Sequence, residues 1–183
     1  MKRYYRLHRV RIVRAPVYVH WTVPVAALLI AVLGWQQPVH AAVFVCAYLA
    51  VIVIHETGHA IVASRCGLEV ERIDLGWLHG RCYFEAPADE WHDILISWGG
   101  VAAQLAIAIT VLIAAWAWPG EKFGYAGPVI VVMGYINIAI ALTNLAPVPG
   151  MDGFTAWRLV PLVRQWNQAR KAVNAWLRRS RRR

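Results

Sequence analysis

The stretch Val53-Ile54-His55-Glu56-Thr57-Gly58-His59-Ala60 sets two histidines and a glutamate inside an almost wholly apolar segment. On an α-helix, residues four apart differ by about 40° of rotation and lie one turn above each other. His55 and His59 can therefore aim two imidazoles at one ion, and nitrogen ligands with an open tetrahedral position suit Zn²⁺. Glu56 stands about 100° round from His55, so it flanks the metal, where a general base would take a proton from metal-bound water. His-Glu-x-x-His on a helix is thus the pattern of a zinc hydrolase site. The setting argues against coincidence. An ionisable side chain within a membrane-length apolar segment is costly, and three within five positions need a common partner, which a metal supplies.

The rest of the chain agrees with that setting. Of its 183 residues 59% are hydrophobic and 16% charged, against about 45–50% and 25% in soluble domains. Long apolar runs cover residues 17–35, 41–64, 94–118 and 127–146, each close to the ~20 residues that a membrane-spanning helix needs. The expected fold class is an all-α polytopic membrane protein of about four transmembrane helices. A basic start before an apolar run also resembles a signal peptide. The 19 residues of the first run exceed the usual h-region of about 7–15 and show no clear cleavage site, which favours a retained helix. His20 and Trp21 at its start serve either as interfacial anchors or as groups near the metal.

Charge sets the expected orientation. Lys2, Arg3, Arg6, Arg9, Arg11 and Arg14 precede the first run, and a second basic cluster runs from Arg158 to Arg183. Clusters that flank membrane segments set topology and touch anionic headgroups, which speaks against nucleic acid as a partner. With four spans and cytoplasmic termini, all of the 19 Lys and Arg residues except Lys122 fall inside, so the positive-inside rule is met. Lys122 and Glu121 then form a turn on the far side. The zinc motif falls toward the cytoplasmic face of a cell membrane. Leu159, Leu162, Val163, Trp166, Val173, Trp176 and Leu177 share a helical face with arginines between them, the pattern of an amphipathic helix lying on the membrane surface. Residues 1–153 thus read as the enzymatic domain and 154–183 as a basic helix and tail. Cys46, Cys66 and Cys82 lack paired spacing, which fits reduced core or spacer thiols, with a metal-ligand role as the alternative.

Residues 65–93 form the one sizeable connection. Ile73, Leu75 and Trp77 alternate with polar or small residues, and His79-Gly80 can turn a hairpin before Cys82-Tyr83-Phe84. Residues 73–84 are then either an ordinary amphipathic loop or a hairpin whose edge strand, beside the active site, pairs with an extended substrate backbone. The third apolar run opens Ser97-Trp98-Gly99-Gly100-Val101-Ala102-Ala103-Gln104. Small residues this dense let helices approach closely; alternatively Gly99, Gly100 and Gln104 stand at the substrate. The fourth run ends in Asn144-Leu145-Ala146-Pro147-Val148-Pro149-Gly150-Met151-Asp152-Gly153. Prolines and glycines break the helix, which at membrane depth is tolerated only where backbone is buried or lines a cavity. Asp152 is a natural third zinc ligand, or else a helix N-cap.

Three features together resemble the site-2 protease family of intramembrane zinc metalloproteases. They are His55-Glu56-x-x-His59, Gly99-Gly100 with Gln104, and Asn144-x-x-Pro147-x-Pro149-x-x-Asp152-Gly153. Residues 73–84 look like the re-entrant hairpin of that family. The form is compact, without a PDZ-like insertion or appended nucleotide-sensing domain, and the family often carries Asn where Gln104 stands. The resemblance implies one zinc ion held by His55, His59 and Asp152, with Glu56 as base and Asn144 positioning substrate or stabilising the tetrahedral intermediate. It implies cleavage in or beside a transmembrane segment of a membrane-protein substrate, a class that includes membrane-bound transcriptional regulators such as anti-sigma factors. The alternative is a non-catalytic membrane scaffold, its zinc site closed by Cys46, Cys66 or His20.

Overall fold

A computed structural model describes residues 3–87, 89–118, 124 and 126–180. The expected Glu121–Lys122 turn and the outermost basic residues Lys2 and Arg183 lie outside the described residues.

Three helices among the described residues are long and apolar enough to cross a membrane: α2 (Pro38–Arg65), α3 (Glu90–Trp116) and α4 (Ala126–Asn144). Pro38 opens α2 in the first turn, where its missing N–H costs nothing. The structure starts α3 four residues earlier than the charge-free run does. Asp89 caps it, accepting the His92 N–H at 2.8 Å, and Glu90 and Asp93 complement the positive end of the helix dipole. Helix α4 contains a π-helical turn at Ile130–Ile136.

The first expected span is corrected. Residues 17–35 are not one helix: they hold most of a strand, β2 (Ala15–His20), and a 12-residue helix, α1 (Thr22–Leu33), about 18 Å long. Val17, Tyr18 and Val19 are strong strand formers. Ala15 and Val17 turn inward at 1% exposure, the period of two that a half-buried strand requires. The preceding basic segment is itself a strand, β1 (Tyr4–Ile12), joined to β2 through Val13 and Arg14, both at positive φ.

The all-α expectation is corrected with it. Four strands form one sheet in the order β1-β2-β3-β4, with β3 (Val70–Leu75) and β4 (Gly80–Phe84) supplying the expected hairpin. Strands β1 and β2 pair antiparallel, as do β3 and β4. The central pair is parallel, Val17 opposite Ile73 and Val19 opposite Leu75, with α1 and α2 as the crossover. The N-terminal basic segment and the 65–93 connection therefore share one end of the helices.

That end is where the zinc motif lies. Ala15, Val70 and Ile73 of the sheet pack on Ala60 and Ala63 of α2 and Ile96 of α3. On the other face Arg72 sits 4.3 Å from the centroid of the Tyr83 ring, a cation–π contact that pins β4 to β3, and is itself held by an ion pair with Asp74 of its own strand at 3.0 Å. Further along α2, Ala47 and Val51 pack on Val132 of α4. Beyond the Pro147–Gly150 break lie a short helix, α5 (Asp152–Ala156), and the largely exposed α6 (Leu159–Ser180).

Candidate metal centre

The helical register of α2 brings His55 and His59 together, with Nε2 atoms 3.1 Å apart and rings edge-on. Asp152, at the start of α5, closes the triangle. Its Oδ2 lies 3.1 Å from His55 Nε2 and 3.3 Å from His59 Nε2. No other group of three or more metal-binding side chains occurs among the described residues.

The outer ring nitrogens decide what this triangle can hold. His59 Nδ1 lies 2.7 Å from the Ile96 carbonyl oxygen, which can only accept, so the proton is on Nδ1. His55 Nδ1 likewise donates to Gln104 Oε1 at 2.9 Å. Both Nε2 atoms are then lone-pair donors, directed at one another and at a buried Asp152 Oδ2 that accepts no hydrogen bond. Three converging lone pairs with no proton among them repel unless a cation lies between them. The spacing fits zinc, since bonds of about 2.0–2.1 Å in a tetrahedron put neighbouring ligands about 3.3–3.4 Å apart. Two imidazoles and one carboxylate are also the catalytic zinc set that leaves the fourth position open.

Backbone fit makes the triangle possible. A Cβ on Gly100 would stand 2.5 Å from His59 Nε2 and 2.7 Å from His55 Cε1. One residue earlier, Gly99 of α3 meets Gly58 of α2 backbone to backbone, closer than a Cβ on either allows. Gly99 thus lets the helices touch and Gly100 makes room for the imidazoles. Gly153 serves Asp152 in the same way, because a Cβ there would overlap the Leu145 and Ala146 backbone. The Asp152 segment is held by two indoles: Trp98 Nε1 donates to the Ala156 carbonyl at 3.2 Å, and Trp157 Nε1 to that of Leu145 at 2.6 Å.

Glu56 is 2% exposed and stands beside the triangle, not in it. Strand β4 covers it so closely that a Cβ on Gly80 would overlap its carboxylate. Burial, and then the charge of Glu56, push the neighbouring Cys82 thiol up to about 12, so it stays protonated at neutral pH. A cavity of about 700 Å³ opens on these groups, bounded by β4, Gln104 and the half-buried Asn144. His20 bonds Thr22 Oγ1 at 2.8 Å, and neither it nor Cys46 nor Cys66 joins the triangle. Sequence reasoning passed over Trp98, Trp157 and the fully buried Asn137, and read Gly80 only as part of a hairpin turn. Asn137 alone carried a signal, as a polar side chain midway along an apolar run.

No protein-family model matches the chain. Over 105 residues it is 33% identical to a Synechocystis protein whose name makes it a candidate zinc metalloprotease, a stretch covering 57% of this chain and 27% of that protein. The chain thus spans about a quarter of the length of this relative. Among solved structures it is similar to a site-2 protease from Methanocaldococcus jannaschii, with a TM-score of 0.70 and 24% identity over 86% of this chain and 71% of that one. The resemblance first carried by motifs extends to three dimensions: the fold is that of a site-2 protease.

Proposed function

We propose that the chain is an intramembrane zinc metalloendopeptidase, hydrolysing a peptide bond in or near a transmembrane segment of a membrane-protein substrate. The observation that carries this is the convergence of His55 Nε2, His59 Nε2 and Asp152 Oδ2 beside Glu56, in a cavity edged by a strand. A zinc ion held by those three side chains would supply Lewis acidity to the scissile carbonyl and to the attacking water. Glu56 takes the proton of that water and returns it to the leaving amine. Asn144, on the cavity wall, donates to the oxygen on which charge develops.

A transmembrane helix must unwind locally to expose its carbonyl, and the freed backbone groups then need partners. Strand β4 ends the sheet order and lines the cavity, so its outer edge supplies them by strand addition. By the positive-inside rule the basic flanks favour a cytoplasmic position for the sheet, both termini and the metal, in the cell membrane. Substrates are single-pass or other membrane proteins, among them membrane-bound transcriptional regulators of the anti-sigma type.

The test is Glu56→Gln. The variant should keep one zinc per chain and cut nothing, so that truncated single-pass membrane proteins accumulate in its cells and are processed in cells with the native chain. Full proteolysis by the variant would sink the mechanism.

A further inference from the structure

We propose that Asn137 is a positioning residue for the metal centre, holding Gln104 and, through Gln104, the His55 imidazole. The inference rests on reading His55, His59 and Asp152 as a zinc site. Asn137 is 0% exposed in the middle of an apolar helix, where an amide is costly unless it is bonded. Its Nδ2 donates twice, to the Met133 carbonyl on its own helix at 3.2 Å and across to the Gln104 carbonyl on α3 at 2.9 Å. The side chain of that same Gln104, 1% exposed, accepts the His55 Nδ1 proton. Three residues on three helices thus form one chain of bonds ending on a zinc ligand.

The π-helical turn explains how Asn137 reaches α3. It ends at Ile136, immediately before Asn137. A π turn takes one residue more than an α turn, which rotates everything after it by about 100° relative to an uninterrupted α-helix. Val132 and Gly134 before Asn137, and Ala141 after it, are the other buried positions of α4, so the turn sets which face meets α3.

Gln104 needs such a hold because its amide has two ends of similar size. With Oε1 on His55 the proton stays on Nδ1 and Nε2 keeps its lone pair; with the amide reversed, donor faces donor and the imidazole is driven to the wrong tautomer. Gln104 Nε2 and Asn137 Oδ1 are both buried with no other partner. One is a donor and one an acceptor, on residues already joined, and pairing them would favour the productive orientation.

The experiment measures zinc affinity of the purified full chain in detergent, by competition with a chromophoric chelator, beside the thermal midpoint of the metal-free protein. Gln104→Leu should weaken zinc binding by about 10–100-fold, the usual cost of losing a partner that orients a ligand. Gln104→Glu, which keeps the acceptor, should restore it. Asn137→Leu should lose about tenfold, and the double variant should bind no more weakly than Gln104→Leu alone, because the two act in series. Asn137→Leu with native zinc affinity and only a lowered thermal midpoint would make Asn137 a structural staple and overturn the proposal. Losses that multiply in the double variant would overturn it as well. Should Asn137→Leu fail to fold, Asn137→Thr, too short to span to α3, is read by the same criteria. A native chain that binds no zinc defeats the zinc-site reading itself, whereas native binding with unaffected variants defeats this inference alone.

Discussion

Replacing Gly100 by alanine adds one methyl group at the tightest point of the centre. The new Cβ would lie 2.5 Å from His59 Nε2 and 2.7 and 2.8 Å from His55 Cε1 and Nδ1, where ordinary contact begins at 3.4 Å. About 0.9 Å of movement must come from somewhere, taking that 3.4 Å less the 2.5 Å. Helix α3 could supply it only by drawing back from α2, which would open the backbone contact of Gly99 with Gly58. Otherwise the imidazoles must move, and they move relative to Asp152, which belongs to another element. Metal sites hold ligand distances to about 0.2 Å, and losing only the partner that orients a ligand already costs about 10–100-fold in affinity. Zinc affinity of Gly100→Ala should therefore fall by at least about 100-fold, read by chelator competition and by metal content after purification. Gly127→Ala is the control, since nothing lies within 4 Å of its added Cβ and its φ is ordinary; it should bind zinc as the native chain does. Native zinc affinity in Gly100→Ala would mean that the imidazoles do not occupy the space described.

Asp152→Ala should abolish zinc binding, since two imidazoles alone form an incomplete set; metal content near one per chain would refute its role. At pH 8 a thiol held up to about 12 leaves roughly one part in 10⁴ as the reactive thiolate, so Cys82 should resist maleimide, gaining reactivity only as pH climbs toward 12. Labelling of Cys82 as fast as a free cysteine would contradict its burial against Glu56. Reversing Arg164, Arg170 and Lys171 to Glu on the exposed α6 should remove a blue shift of tryptophan emission in anionic relative to zwitterionic nanodiscs, and a shift that survives reversal would show that α6 does not bind by charge.

The long helices were legible because membrane-length apolar runs leave few alternatives, and the two histidines because a helix puts residues four apart on one face. Asp152 was legible as the acid beside a break that only a cavity tolerates. The first 35 residues were not. Counting uncharged residues cannot find the boundary at Trp21, because strand and helix are equally apolar there. Residues 15–20 pair on one side with β1 across Val13 and Arg14, a turn without the usual glycine or asparagine, and on the other with Ile73 and Leu75, more than fifty residues away, where a parallel partner leaves no local turn signal. Gln104 was visible as a polar residue near the site, but its bond to His55 needs the approach of α3 to α2 that Gly58 and Gly99 allow. Asn137 carried a signal only as one amide in an apolar run that it does not interrupt, and the π turn that aims it has no sequence mark.

The four-stranded sheet bears on how the proposed hydrolysis obtains its second reactant. An open sheet has two edges, here β1 and β4, and unpaired peptide groups are not tolerated against hydrocarbon. The β4 edge lines the cavity, but the β1 edge is exposed and carries Arg6, Arg9 and Arg11, so the sheet belongs in the headgroup zone or beyond it. His59 lies six residues from the end of α2, about 9 Å along the helix, and is bonded to Ile96, whose side chain packs on Ile73 of the sheet. The reacting groups are thus moored a short, fixed depth from the bulk phase, where the gradient of water across the bilayer is steep but not yet exhausted. On this flank the water for the proposed hydrolysis would have only that short depth to cross.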